Sequence, residues 1–175
     1  YAEAHNNLGN TLKELGKLKE SEASFRQAIT LKPDYAEAHN NLGVTLKELG
    51  RLKGAEASYR KVIRLKPYLP EAYLNLGNTL RELGRLKESE VSFRQAIVLK
   101  PNLIEAHNNL GVTLKDLSRL KEAEASYRKV IELKPDSTEA YLNLGAILQK
   151  QGRVKEAETS YTQAIVLKPD YTEAH

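Results

Sequence analysis

Five prolines, Pro33, Pro67, Pro101, Pro135 and Pro169, fall at one constant interval of 34 residues. A chain punctuated this way is built of supersecondary units, each of which buries its apolar face against the next. With Ala2 as repeat position 1, the repeats run 2–35, 36–69, 70–103, 104–137 and 138–171, and 172–175 begins a truncated sixth within a single array over 1–175. Glycines obey the same ruler. Gly9, Gly43, Gly77, Gly111 and Gly145 occupy position 8; Gly16, Gly50, Gly84 and Gly152 occupy position 15, where Ser118 is the one departure. Position 15 follows one helical pattern and precedes another, so its glycine supplies a left-handed residue that ends the first helix. Position 8 lies inside the helix, where glycine costs about 0.8–1 kcal/mol against alanine. Its recurrence predicts a close helix approach, with the small residues at position 20 (Ser21, Ala55, Ser89, Ala123, Ala157) as facing partners.

Apolar spacing predicts two amphipathic helices per repeat. In the first, Ala4, Leu8, Leu12 and Leu15 share a face; in the second, Leu18, Ser21, Phe25, Ala28, Ile29 and Leu31 do. Asp34 with Glu37, Asp136 with Glu139 and Asp170 with Glu173 read as capping boxes at first-helix starts.

The pattern resembles the tetratricopeptide repeat family over the whole chain. In repeat three it is carried by Tyr73, Leu76, Gly77, Leu80, Ser89, Phe93, Ala96 and Pro101. The resemblance implies an all-α fold, a right-handed superhelical α-solenoid of five stacked antiparallel helix-turn-helix units with first helices lining the concave side. Where the family often has tryptophan at position 4, this chain has His5, His39, Tyr73, His107 and Tyr141.

With first helices facing a groove, positions 2, 5, 6, 9, 12 and 13 are expected to be exposed and 3, 4, 7, 8, 11 and 14 buried. Position 6 is asparagine in every repeat: Asn7, Asn41, Asn75, Asn109 and Asn143. Asparagine is a poor helix former, but its carboxamide both donates and accepts, and so can satisfy the backbone of an extended guest chain without reading its side chains. Helices about 8–10 Å apart and a ligand advancing about 3.3 Å per residue set one asparagine against every third ligand residue. Asn10 and Asn78 at position 9, and Asn6, Asn40 and Asn108 at position 5, complete the expected peptide-binding set. The ladder is similar to that of the superhelical repeats of O-linked N-acetylglucosamine transferase and related bacterial repeat proteins, which implies a grip on peptide backbone. The competing reading is that these amides are solvated or bond the adjacent helix. A 68-residue double period also appears, pairing Asn10 with Asn78 and Phe25 with Phe93, against Val44 with Val112 and Tyr59 with Tyr127. It predicts either a recurring ligand preference or the unused trace of a two-repeat duplication.

Other chemistries find little support. The carboxylate clamp of relatives that hold chaperone tails needs lysine at position 5 and basic residues at position 2. Here position 5 holds asparagine or leucine, and position 2 is Glu3, Glu37, Glu71, Glu105 and Glu139. The four histidines, His5, His39, His107 and His175, share position 4; on stacked helices they stand too far apart for zinc, which holds its ligands at about 2.0–2.1 Å. Ser24, Ser58, Ser92, Ser126 and Ser160 recur without a histidine at plausible spacing. No enzyme activity, cofactor or metal is therefore expected. With no cysteine there is no disulfide or thiolate site. Basic residues (27) are interspersed with acidic ones (23), as in Lys17, Lys19, Glu20 and Glu22, so a solvated face is expected in preference to a nucleic-acid surface. No stretch has the length and apolarity of a membrane span, and Tyr1-Ala2-Glu3-Ala4-His5 lacks signal-peptide character; a cytoplasmic location is the expectation.

The expected function is a protein-protein interaction scaffold holding a protein or peptide ligand. Two alternatives stay open: a structural array associating end to end through the second helix of repeat five, and a substrate-recruiting arm of a larger enzyme such as a glycosyltransferase.

Overall fold

The computed structural model describes residues 1–168. These form ten α-helices and no strand, in two compact units, one over Tyr1–Leu99 and the other from Lys100 onward. The first unit holds α1 (Ala2–Glu14), α2 (Leu18–Leu31), α3 (Ala36–Glu48), α4 (Leu52–Leu65), α5 (Pro70–Glu82) and α6 (Leu86–Leu99). The second holds α7 (Ile104–Asp116), α8 (Leu120–Leu133), α9 (Thr138–Lys150) and α10 (Val154–Leu167). Each odd-numbered helix forms a hairpin with the even one after it, and α2 packs on α3, α4 on α5 and α8 on α9. The fold is all-α, made of stacked helical hairpins within each unit.

Helix ends follow local chemistry. At the end of α1 the Gly16 N–H donates to the Lys13 carbonyl (2.9 Å) and the Lys17 N–H to that of Leu12 (2.8 Å). That paired closure needs a left-handed residue between the helices, and Gly16, Gly50, Gly84 and Gly152 have φ between 72° and 76°. Ser118 adopts the same conformation at φ 60°, with its N–H on the Lys115 carbonyl (2.9 Å) and that of Arg119 on Leu114 (2.8 Å). A side chain in this region costs about 1–2 kcal/mol, so Ser118→Gly should raise stability by about 1 kcal/mol in urea unfolding. An unchanged midpoint would refute this strain.

First-helix starts differ from the capping-box expectation. The N-cap of α3 is Tyr35, with no side-chain cap bond, and that of α9 is Ser137, whose hydroxyl accepts from the Ala140 N–H. Asp34 and Asp136 stand one residue too early, and Glu37 and Glu139 turn to the preceding repeat instead. Asp170 and Glu173 lie outside the described residues. Pro70 takes the first turn of α5, where its missing N–H costs nothing.

The core of the first unit interleaves Phe25 and Tyr59 from second helices with Leu42, Leu46, Leu76 and Leu80 from first helices. Position 8 explains its own regularity. A Cβ on Gly9 would stand 2.6 Å from Phe25, one on Gly43 2.7 Å from Tyr59, and one on Gly77 2.6 Å from Phe93. The space a side chain would need is thus filled by the aromatic ring of position 24, not by the small residue of position 20 as expected. Where that small residue is serine, it anchors the first helix by a hydrogen bond, since the Ser21 and Ser89 hydroxyls donate to the Gly9 and Gly77 carbonyls, each at 2.8 Å.

Candidate functional site

Five of the asparagines, Asn6, Asn40, Asn41, Asn75 and Asn108, bond across repeat junctions. In the first unit Asn6 is fully buried: its Nδ2 donates to Glu37 Oε1 (2.9 Å), and its Oδ1 accepts from Asn41 Nδ2 (3.1 Å). Asn75 Nδ2 likewise donates to Asn40 Oδ1 (3.4 Å). Asn6 therefore departs from the exposed-face expectation: it is an inter-repeat link, and a guest chain cannot reach it. Asn7 is exposed, and Asn10, Asn40, Asn41, Asn75 and Asn78 are half-buried. In the second unit Asn108 Nδ2 donates to Glu139 Oε1 (2.9 Å), while its Oδ1 is buried without a hydrogen-bond partner among the described residues. Asn109 and Asn143 are half-buried.

The exchange has a clear basis. Position 5 of one repeat meets positions 2 and 6 of the next, so a short amide there bridges two first helices. Leu74 at the same position of repeat three is 5% exposed and Leu142 of repeat five 48%, so neither burial nor a polar bond is obligatory at this position. A carboxamide offers two N–H donors and two acceptor lone pairs. Asn41 and Asn75 each spend one donor on the neighbouring repeat and keep the rest.

Position 10 escaped the sequence reading. Thr45, Thr79 and Thr113 are fully buried, and their hydroxyls donate to the carbonyls of Asn41 (3.0 Å), Asn75 (2.8 Å) and Asn109 (2.8 Å). Each buried hydroxyl is thereby satisfied within its own helix. The available signal was Ile147, which replaces threonine at this position in repeat five; a site that accepts either residue is an apolar site whose hydroxyl is satisfied locally.

Position 4 also has a defined role. His39 Nε2 donates to the Pro33 carbonyl (3.0 Å), His107 Nε2 to that of Pro101 (2.8 Å), and the Tyr73 hydroxyl to that of Pro67 (3.1 Å). Each pins the turn that leads into its own repeat. Among the described residues no group of three or more His, Cys, Asp or Glu is placed to hold a metal, and His175 lies outside them. No described helix is long and apolar enough to cross a membrane.

Hairpins of this length, with glycine under an aromatic ring and proline between units, match a known template. A family model of the TPR repeat matches residues 9–50, 45–84, 77–118 and 113–152, and one of the tetratricopeptide repeat matches 138–171. The chain belongs to the tetratricopeptide repeat family. No curated relative matches it. Solved structures share the tetratricopeptide fold: MamA from Desulfovibrio magneticus RS-1 is 19% identical, with 98% of this chain and 97% of that one covered at a TM-score of 0.91. YrrB, described as a TPR protein with an unusual peptide-binding site, is 24% identical over 98% of this chain and 88% of its own, TM-score 0.84. The pilF protein of Pseudomonas aeruginosa is 22% identical over 93% and 74%, TM-score 0.81. At these identities the likeness concerns the fold.

Proposed function

We propose that this tetratricopeptide array is a protein-interaction scaffold whose first-helix faces hold an extended segment of a partner protein through its main chain. The observation that carries the reading is the recurrence of a carboxamide at position 6, each set on one helix face and, at Asn41 and Asn75, left with an N–H and an oxygen after its junction bond. Main-chain recognition needs both donors and acceptors in register, and these amides offer both. YrrB, similar in fold, carries a peptide-binding site, which agrees with such a use.

The test selects peptides from an unbiased display library on the full chain, then methylates alternate backbone nitrogens of a selected peptide. Loss of each gripped N–H should weaken binding by about tenfold, an amount equal to about 1.4 kcal/mol. Asn41→Ala with Asn75→Ala should weaken the unmodified peptide comparably. Because Asn41 also bonds Asn6, affinities are to be read well below the melting transition, which should itself fall by about 1 kcal/mol of stability. Equal affinity of methylated and unmethylated peptides would remove the main-chain grip.

A further inference from the structure

The second helices carry grooves of their own. In the first unit a cavity of about 840 Å³ opens between α4 and α6, floored by Ile63 and Leu76 and walled by Val91, Arg60 and Arg64. Val91 is 67% exposed. At the adjoining junction α2 and α4 flank a cavity of about 440 Å³ with Ile29 and Leu42 at its floor, and Arg26, Lys61 and again Arg64 at its rim. Neither lining contains a carboxylate or any of the first-helix asparagines.

The cations divide into two kinds. Arg26 is committed to Glu22, and Arg60 to Glu56 and Glu88. Arg64 and Lys61 make no ion pair or hydrogen bond among the described residues. An uncommitted guanidinium shared by two apolar-floored cavities calls for a carboxylate with an apolar group on either side. The second unit supplies a contrast within the same chain. Between α8 and α10 the equivalent cavity, about 510 Å³, keeps Ile131, Leu144 and Arg128, but Glu132 stands where Arg64 stands in repeat two. Lys129, the counterpart of Lys61, pairs with Glu132 at 2.6 Å. There the attraction for an anion is cancelled from within.

We propose that the α2, α4 and α6 side of the first unit docks an acidic segment of a partner protein, seating a carboxylate on Arg64 and flanking apolar side chains over the two cavity floors. This surface is separate from the asparagine face, so either reading can fail without the other.

Fluorescence anisotropy of the full chain with a labelled peptide, an aspartate flanked by leucines within a run of glutamates, tests the proposal. Saturable binding is expected. Arg64→Glu, which installs the residue of repeat four at an exposed site, should weaken it at least about tenfold. Lys87→Glu, the same charge change on α6 outside both cavities, should alter it by no more than about twofold. Glu132→Arg, which has one such cavity beside it instead of two, should add a second, weaker site. The proposal is overturned if the wild-type chain does not saturate, if a lysine-for-acid peptide or an RNA oligomer of equal charge binds as well, or if Arg64→Glu and Lys87→Glu are equivalent.

Discussion

Phe93→Ala should cost about 4 kcal/mol of stability and Gly77→Ala about 2 kcal/mol, with the two effects strongly coupled. The Phe93 ring is fully buried, and a Cβ on Gly77 would stand 2.6, 2.7 and 3.0 Å from three of its carbons. Contacts that short require the ring or the helix to move, and a ring enclosed on every side has no solvent-facing rotamer to adopt. Overpacking of this kind costs about 1–3 kcal/mol, against which alanine returns about 1 kcal/mol of helix propensity; the net penalty therefore sits near the upper end of the overpacking range less that gain. In a Phe93→Leu background the clash is relieved and the propensity gain survives, so Gly77→Ala should become neutral or stabilising there. Equilibrium urea unfolding of the four proteins in that cycle measures the coupling. If Gly77→Ala is as stable as the wild type while Phe93 is intact, the glycine is not there to admit the ring.

The contrast between what the sequence showed and what it concealed follows the range of the interactions. Chain reversal at Gly16, Gly50, Gly84, Gly152 and even Ser118 depends on residues within one helical turn, and all five adopt φ > 0. Helix pairing was equally plain, because each apolar stripe is local. The partner of Gly9 was harder. Both Ser21 and Phe25 approach it, and only the hairpin's crossing geometry decides which of them fills the missing Cβ. The asparagines show the limit most clearly. Their recurrence on one face was evident, but Asn6 meets Glu37 and Asn41 across separations of 31 and 35 residues, a register between repeats that periodicity alone leaves open. The same register moved Glu37 from its expected cap to the Asn6 amide. The lysines and arginines read as a solvated face for a similar reason: the ion pairs of Arg51, Arg85 and Arg153 cross 29 residues.

Those ion pairs should give the second large effect, a loss of about 2 kcal/mol on Glu56→Gln at neutral pH. Glu56 lies between two repeats with its side chain 14% exposed, accepting from Arg60 Nε at 2.9 Å and from Arg85 Nη1 at 2.7 Å. Arg85 also chelates Glu88, the third helical residue after it, at 2.7 and 2.6 Å, so one guanidinium closes the start of α6 and joins it to α4. Glutamine keeps the volume but turns an N–H₂ group toward a guanidinium and removes the charge. The arginines are about half exposed, which holds the loss near 2 kcal/mol rather than the larger cost of breaking a fully buried pair. Glu22 with Arg26 and Arg51, and Glu124 with Arg128 and Arg153, repeat the arrangement. Burial pushes the Glu56 and Glu124 carboxyls up, but hydrogen bonds from their two arginines outweigh it and leave both below the ordinary glutamate value. A carboxyl lowered on folding stabilises the native state above its unfolded pKa, and that contribution is lost as pH falls through the lowered value. The stability difference between wild type and Glu56→Gln should thus be constant from neutral pH down to about 5 and shrink below about 4.5, as the carboxyl protonates first in the unfolded chain and then, at lower pH, in the native one. Urea unfolding across that range measures it. A difference that persists undiminished at pH 2 would assign the loss to packing, and equal stabilities at pH 7 would show that solvent screening leaves the paired arginines nothing to contribute.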